Sequence, residues 1–564
     1  MKHFFSLFLI IPFCTFAQVI PYHSIPDWES TPVGAVSTGL GLGDINGDGW
    51  KDIVVANGND IERQHVVVYY NNGDGTFPLV PDWQSDDIDY HGHLALGDVN
   101  NDGWLDAAVS VYLGPDGFGH PGNVKVYYNT GGQLESTPSF ESDELYTFSC
   151  ALGDVDGDGY LDLAVACGEP YSGLKEPGRI YFNNYGVFSN QSYWESSVTM
   201  GAIDVNINDM DDNGFADVVF VCEGGSNYIY LASEAGLIQP QPVWTSSETS
   251  NFMNSVVTGR MQPGQLPCLL MTGNNQLGGD GKIRQYTFTL PFPSSSAASW
   301  TSAPVGYGSG ILLADVTRDD TLDLIYGGWW LPMQILVGNG QDFETSPAYT
   351  SGTASVVEAI QMADLAKDNL IEAIDTVNID KPEAAMITLS HEVIEDVEEV
   401  QVNGIALTQV NYKTLPGRNL VFLKVRLFLG DQVIVKYHFC LDGDIVISNW
   451  DSNVGNYIFY NTNTPTGMND QETGPAMTGI LNVYPNPASG KINIRIDLQQ
   501  SMHMALTICD MTGREVMNLF SWRHEEGICQ YEKDVSSLKA GVYVVRLRRG
   551  DDLIQKKLII LNWF

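Results

Sequence analysis

The stretch GDVDGDGYLDLAVA at residues 153–166 sets four aspartates, Asp154, Asp156, Asp158 and Asp162, directly before an apolar, strand-like run. Carboxylates held so close disfavour folding unless a counter-ion lies among them. The stretch recurs as GDINGDGWKDIVVA at 43–56, GDVNNDGWLDAAVS at 97–110, NDMDDNGFADVVFV at 208–221 and ADVTRDDTLDLIYG at 314–327. Weaker copies are TGRMQPGQLPCLLMTG at 258–273 and ADLAKDNLIEAIDT at 363–376. A period of about 50–56 residues marks a solenoid or a propeller rather than one irregular domain.

A second landmark keeps step with the first. Trp28, Trp83, Phe140, Trp194, Trp244, Trp300 and Tyr349 are each followed two residues later by serine. Between landmarks every unit has a strand entering the acidic loop, a strand leaving it, an aromatic strand such as VKVYYNT or GRIYFNN, and a last strand at the landmark. Four short antiparallel strands per unit make a propeller blade. Segment 19–30 has the landmark without a loop before it, and segment 442–461 has the strands without a landmark after them. The two halves complete one blade, close the ring and hide its edges. The expected fold is all-β: a seven-bladed β-propeller over residues 18–461, followed by a small β-sandwich. Residues 398–438 break the rhythm; they are an insertion in the last blade, or part of an eighth.

The ends read differently. Residues 1–17 have one lysine near the start, an apolar run and Ala17 before Gln18, the pattern of a cleaved signal peptide. No later apolar run is long enough to span a bilayer as a helix. Residues 462–479 are polar and rich in Gly, Pro and Thr, a linker. Residues 480–564 alternate apolar and polar residues between turns, as in a sandwich of about seven strands. Net charge is −41. The C-terminal segment is slightly basic, so the acidity belongs to the propeller, which excludes nucleic acid as a natural partner. Once Cys14 leaves with the signal, the cysteines are odd in number and scattered, which is no disulfide framework. They read as buried thiols, although Cys150 with Cys167, and Cys509 with Cys529, could face each other on neighbouring strands.

Numbered from its first aspartate, each loop offers side-chain oxygens at positions 1, 3, 5 and 9 and a backbone carbonyl at position 7. The sets are Asp44, Asn46, Asp48, Trp50 and Asp52; Asp98, Asn100, Asp102, Trp104 and Asp106; Asp154, Asp156, Asp158, Tyr160 and Asp162; and Asp209, Asp211, Asn213, Phe215 and Asp217. Asp315, Thr317, Asp319 and Asp323 form a weaker set, because threonine replaces a carboxylate or amide. The copy at 363–376 has Ala366 at position 3, and the copy at 258–273 has lost its acids and should bind nothing. An all-oxygen set suits a hard cation with six or more ligands, and the absence of His and Cys speaks against zinc. Calcium, about four to five ions, is the expected cofactor. An EF-hand is excluded, since it needs a glutamate at position 12 and flanking helices.

These loops, with VYYNNGDGTF downstream, resemble the FG-GAP/VCBS repeats of the integrin α-subunit propeller and of many bacterial secreted proteins. The resemblance implies calcium in the hairpin loops of one face and partners on the other, and it carries over only the metal positions named above. The tail, with YPNPASG, MTGREV, AGVYVVRL and a terminal KKLII, is similar to the type IX C-terminal sorting domain of Bacteroidetes. That resemblance implies passage through the periplasm, handling by the type IX machinery, and release from or attachment to the outer surface of a Gram-negative cell.

No nucleophile elbow, phosphate loop, HExxH or paired redox cysteine is present. Residues mapping to the face opposite the loops include His65, His91, His93, His120, Trp329 and Trp330. The histidines could gather near one rim as a ligand, second-metal or lyase site; solvated loop residues and packed imidazoles are the preferred account of them. The tryptophans could stack on a sugar or fill the space between blades. The expected function is a secreted or surface binding module for a glycan or protein ligand. The alternatives are a polysaccharide-degrading, lyase-like enzyme and a structural surface component.

Overall fold

The computed structural model describes residues 20–462 and 481–560, apart from short breaks in both. The signal peptide and nearly all of the linker lie outside the described residues. The chain forms two compact units, Met1–Gly467 and Met468–Phe564.

The first unit repeats one meander. In the first blade Ser37–Gly43 runs innermost, Asp52–Gly58 and Arg63–Tyr69 follow, and Trp83–Gln84 lies outermost. The acidic stretch is the hairpin between the first two strands, and the register repeats around the ring: Gly43 faces Asp52, Gly97 faces Asp106, Gly153 faces Asp162, Asn208 faces Asp217 and Ala314 faces Asp323. Runs such as DIVVA are buried on both faces because each sheet packs between two others.

The aromatic-x-Ser landmark has a specific role. In the first, second, fourth and seventh blades the outermost strand is only two residues long, whereas in the third it runs over Tyr193–Met200. The landmark serine hydroxyl accepts the next third-strand N–H: Val66 to Ser85, 3.1 Å; Val124 to Ser142, 3.0 Å; Gly178 to Ser196, 2.9 Å; Met333 to Ser351, 3.0 Å. The aromatic reaches into the next blade. The Trp28 indole donates to the Phe77 carbonyl (3.1 Å), and that of Trp194 to Ile238 (3.1 Å).

The described residues form seven blades. Tyr349–Ala363 serves two of them: its start pairs with the third strand of the sixth, and its end is the innermost strand of the seventh. The seventh continues through Asp444–Asn449 and Tyr457–Phe459 and is completed by Trp28–Glu29, with Trp28 opposite Ile458 and Glu29 opposite Tyr457. The ring closes as the two half-blades predict.

The interruption is wider than 398–438. Ala363 faces Asp444 in the seventh blade, so residues 364–443 stand where the other blades have only the acidic loop, and the insertion follows the loop's first half at Asp364–Asp368. They fold as two small sheets around Leu389, Val400, Val421, Leu423, Val433 and Val435, not as an eighth blade. The insertion lies over the acidic-loop end of the ring. Ala385 and Met386 amides donate to the Gly214 carbonyl (2.9 and 3.0 Å), and Arg418 Nη2 donates to the Ile207 carbonyl (2.6 Å). Leu415, Pro416 and Arg418 close one end of a central cavity of about 210 Å³.

The second unit has sheets of Leu481–Tyr484, Lys491–Leu498 and Gly527–Asp534, and of Glu515–His524, Met502–Asp510, Gly541–Arg549 and Asp552–Ile560. Ile492, Ile494, Leu506, Ile508, Val545 and Leu558 fill its core. Cys509 and Cys529 belong to different sheets, opposite Val544 and Ile496. Cys150 and Cys167 are buried free thiols.

Trp28 packs edge-on against Tyr69 and Phe77 where the ring closes. Trp28→Ala should cost about 3–5 kcal/mol in urea unfolding of the exported chain, as for a large buried aromatic. A loss below about 1 kcal/mol would show that closure does not rest on this strand.

Candidate metal centres

The ninth-position aspartate is the hub of each acidic loop. One oxygen accepts the amide of position 2: Ile45 to Asp52 3.0 Å, Val99 to Asp106 3.0 Å, Val155 to Asp162 2.8 Å, Met210 to Asp217 2.7 Å, Val316 to Asp323 3.0 Å. The other accepts an amide just past the third strand: Asn71, Asn129, Asn183, Ala232 and Gly338, at 2.7–2.9 Å. The first-position aspartate accepts the amide of position 6, as Gly49 to Asp44 (2.8 Å), Gly159 to Asp154 (2.9 Å) and Gly214 to Asp209 (2.8 Å). Position 6 has positive φ (88°, 92°, 89° and 83° at Gly49, Gly103, Gly159 and Gly214), so glycine recurs there. The sixth blade has Asp320 at that position, at φ 63°.

The seventh blade has the same hub, split by the insertion. Leu365 N donates to Asp444 Oδ2 (3.0 Å), Asn461 N to Asp444 Oδ1 (2.9 Å), and Asp368 N to Asp364 Oδ1 (3.0 Å). Glu372, the acid at the ninth place by counting, instead lies on the insertion's sheet and pairs with Lys436 (2.8 Å). The asparagine after the aromatic strand was also missed as a functional position. Asn71, Asn129 and Asn183 donate from Nδ2 to Leu365, Ile45 and Val99 carbonyls of the preceding blade's loop, at 3.1, 2.8 and 2.7 Å.

In two loops the carboxylates already converge. Asp154, Asp156 and Asp158, and likewise Asp209, Asp211 and Asp217, bring ligand oxygens within 4.8 Å of one another. Burial pushes Asp52, Asp106, Asp154, Asp209, Asp323 and Asp444 up to about 7, and neighbouring carboxylates add to the shift against the pull of backbone donors. Asp162 and Asp217 rise well above the ordinary value for the same reasons. Asp211 Oδ1 is buried without a hydrogen-bond partner. An all-oxygen donor set with an orphaned carboxylate oxygen fits a hard divalent cation. The group Glu372, Glu398 and His438 has a different character: Lys436 bridges both of its carboxylates at 2.8 and 2.5 Å.

The opposite mouth of the ring is also lined by acids. Asp60, Tyr112, Tyr171, Glu223, Trp329 and Glu358, with Phe148 and Trp450, surround a small cavity. Tyr112 OH donates to Glu169 Oε1 (2.8 Å), and Trp329 Nε1 to Glu358 Oε2 (2.8 Å). Glu223 is pushed up to about 8 by burial and by the carboxylates of Glu358 and Glu169, and its Oε2 is buried without a partner. Trp330 is 63% exposed beside Tyr307 and Trp329.

Three of the four histidines have separate partners. His91 is buried with Nδ1 2.6 Å from the Asn57 carbonyl, and burial lowers its pKa. His93 lines the central cavity with Nδ1 3.6 Å from Asp204 Oδ1; burial lowers its pKa, but Asp204 and Glu358 outweigh this and the net shift is upward. His65 Nδ1 is 3.0 Å from the Asp87 carbonyl, and His120 is exposed in a turn.

Comparison with known proteins agrees with this anatomy. Residues 44–109 match the FG-GAP-like repeat, 148–182 the FG-GAP repeat, and 482–561 the secretion system C-terminal sorting domain. The chain carries FG-GAP repeats and a type IX sorting domain. Integrin alpha-3 of Cricetulus griseus is 31% identical over 162 residues, and integrin alpha-7 of Homo sapiens is 32% identical over 142. These matches cover 24% and 22% of this chain but only 14% and 12% of the integrins. Among solved structures, BBS1N in complex with ARL6DN aligns with TM-score 0.41 and 13% identity, over 62% of this chain and 94% of that one. PorZ of Porphyromonas gingivalis aligns with TM-score 0.25 and 13% identity, over 90% and 69%. The sorting domain marks the FG-GAP propeller for type IX export to the cell surface or beyond it. Among the described residues no helix is long and apolar enough to cross a membrane.

Two outcomes follow from the loop geometry. Asp444→Asn can accept only one of its two amides well and should cost about 1–3 kcal/mol, whereas Glu372→Gln should change stability by less than about 0.5 kcal/mol. Equal effects in denaturant titrations would remove Asp444 from the hub role. A carboxyl whose pKa is raised by folding stabilises the fold while protonated and loses that contribution as pH rises. In excess chelator the melting temperature should therefore fall between about pH 4 and about pH 7. A rise across that interval would contradict the assigned shifts.

Proposed function

We propose that this FG-GAP propeller is a calcium-stabilised surface module, delivered by the type IX route, that binds a glycan at the mouth opposite its acidic loops. The observation that carries the binding reading is Glu223 Oε2, a buried carboxyl oxygen without a partner in a mouth walled by tyrosine and tryptophan. Exposed Trp330, with Tyr307 and Trp329 beside it, offers the aromatic surface on which a sugar ring stacks. Buried carboxylates supply acceptors for its hydroxyl groups. Calcium is preferred over magnesium in the loops because each set brings many protein oxygens, whereas magnesium keeps most of its water.

Calcium should raise the melting temperature of the chelator-stripped protein, by several degrees for each loop that loads. Asp158→Ala, which removes the position-5 oxygen altogether, should lower the ion count by one. An unchanged melting curve and no bound calcium would end the metal reading. For the mouth, glycan arrays and calorimetry with Trp329→Ala and Trp330→Ala separate the possibilities. Binding without turnover that the substitutions weaken at least tenfold supports the binding module. Release of unsaturated sugars would move the assignment to a lyase. Silence in both assays would leave a structural surface component.

A further inference from the structure

The insertion carries cations to the acidic loops, and one of them lands on a ligand. Lys413 Nζ lies 2.6 Å from Asp98 Oδ2, with only 8% and 12% of the two side chains exposed. Asp98 occupies position 1 of the second loop. The same oxygen accepts the Gly103 amide (3.1 Å), while Oδ1 accepts that of Asp102 (3.0 Å). Lys413 sits on the short strand Tyr412–Thr414, opposite Phe422, so the insertion's own sheet fixes its reach.

Four other cations near the loops make their close contacts elsewhere. Lys367 lies over the Trp50 ring at 4.7 Å, and Lys424 over that of Tyr160 at 4.7 Å. Arg426 Nη2 donates to the Asp156 carbonyl (3.1 Å), not to its carboxylate. Arg260 pairs with Asp212 (2.6 Å), which is position 4 and outside the ligand set.

We infer that Lys413 is the resident cation of the second loop, standing where the other complete loops take a divalent ion. A dication ligated by Asp98 would lie only a few ångströms from an ammonium on the same carboxylate. Two like charges at that separation in a half-buried site repel strongly. An ammonium also satisfies one carboxylate while leaving Asn100 and Asp102 at the exposed rim, where Asn100 Nδ2 donates to Asp102 Oδ2 (2.9 Å). The second loop is therefore held shut by the chain itself, and the insertion is tied to the ring without metal at that point. This rests on the calcium reading of the other loops, and the test separates the two.

The mature full chain is equilibrated with calcium, and bound ions per chain are counted by mass spectrometry. Asp102→Ala should leave the wild-type count unchanged. Lys413→Met should add one ion, and Lys413→Met with Asp102→Ala should return to the wild-type count. Lys413→Arg, which keeps the charge, should add none. In chelator, Lys413→Met should melt below wild type, and calcium should recover most of the difference, which shows that the variant folds. A wild-type count that falls by one with Asp102→Ala overturns the inference, as does Lys413→Met gaining no ion. Asp158→Ala in the third loop serves as the control. If it loses an ion while Lys413→Met gains none, only the present inference fails. If no variant holds calcium, the metal reading fails with it.

Discussion

A single carboxylate, at the ninth position of every uninterrupted acidic loop and at Asp444 in the seventh blade, holds three pieces of chain together. It pairs in register with the residue before the loop, accepts the loop's second amide, and accepts the amide that follows the third strand. Two backbone N–H groups at the crowded end of a sheet are thereby satisfied away from water. This arrangement requires the anion to be buried: Asp52, Asp106, Asp162, Asp217 and Asp323 have no exposed surface. The electrostatic cost concentrated at one end of the ring is a direct consequence of how the blades are stitched.

Two means of offsetting that cost are visible. Where the loop is open, further oxygens converge and a hard cation fits them. Where the insertion reaches, its basic residues approach the loops, and at Asp98 an ammonium takes up the charge. The asparagine that follows the aromatic strand adds a neutral link, carrying each loop's second carbonyl to the next blade. The Asn71 link to Leu365 runs from the first blade to the seventh, so the latch helps close the circle.

Much of this was legible in the sequence because it recurs. The acid spacing, the aromatic-x-Ser landmark and the two half-blades gave period, blade and closure, since each follows from a local pattern that the fold must repeat. The insertion's limits were not legible. Glu372 stands at the ninth place by counting, whereas the acid that performs the task, Asp444, lies beyond the inserted sheets. Spacing identifies a partner only when the chain between is short. The convergence of Glu223, Glu358 and Asp60 at the opposite mouth was equally hidden, because these acids come from different blades and share no motif. His91 and His93 alternate along one strand, yet the register shifts between His91 and Leu94, and the two rings meet different partners.

The position of the insertion follows from the hub. Ala363 and Asp444 are cross-strand neighbours, so the ends of the inserted segment already lie side by side. Closing a long loop between fixed, adjacent ends costs little more than closing a short one. Leu365 and Asp368 are still held by carboxylates as in an uninterrupted loop, so the insertion begins only after the loop's first half has formed. A segment with its own apolar core could therefore enter here without disturbing a single blade. Once there, it covers the acidic-loop end of the ring, with Leu415, Pro416 and Arg418 lining the central cavity. Within the propeller unit the insertion lies at the acidic-loop end, and the opposite mouth keeps its aromatic wall and the unpartnered Glu223 oxygen.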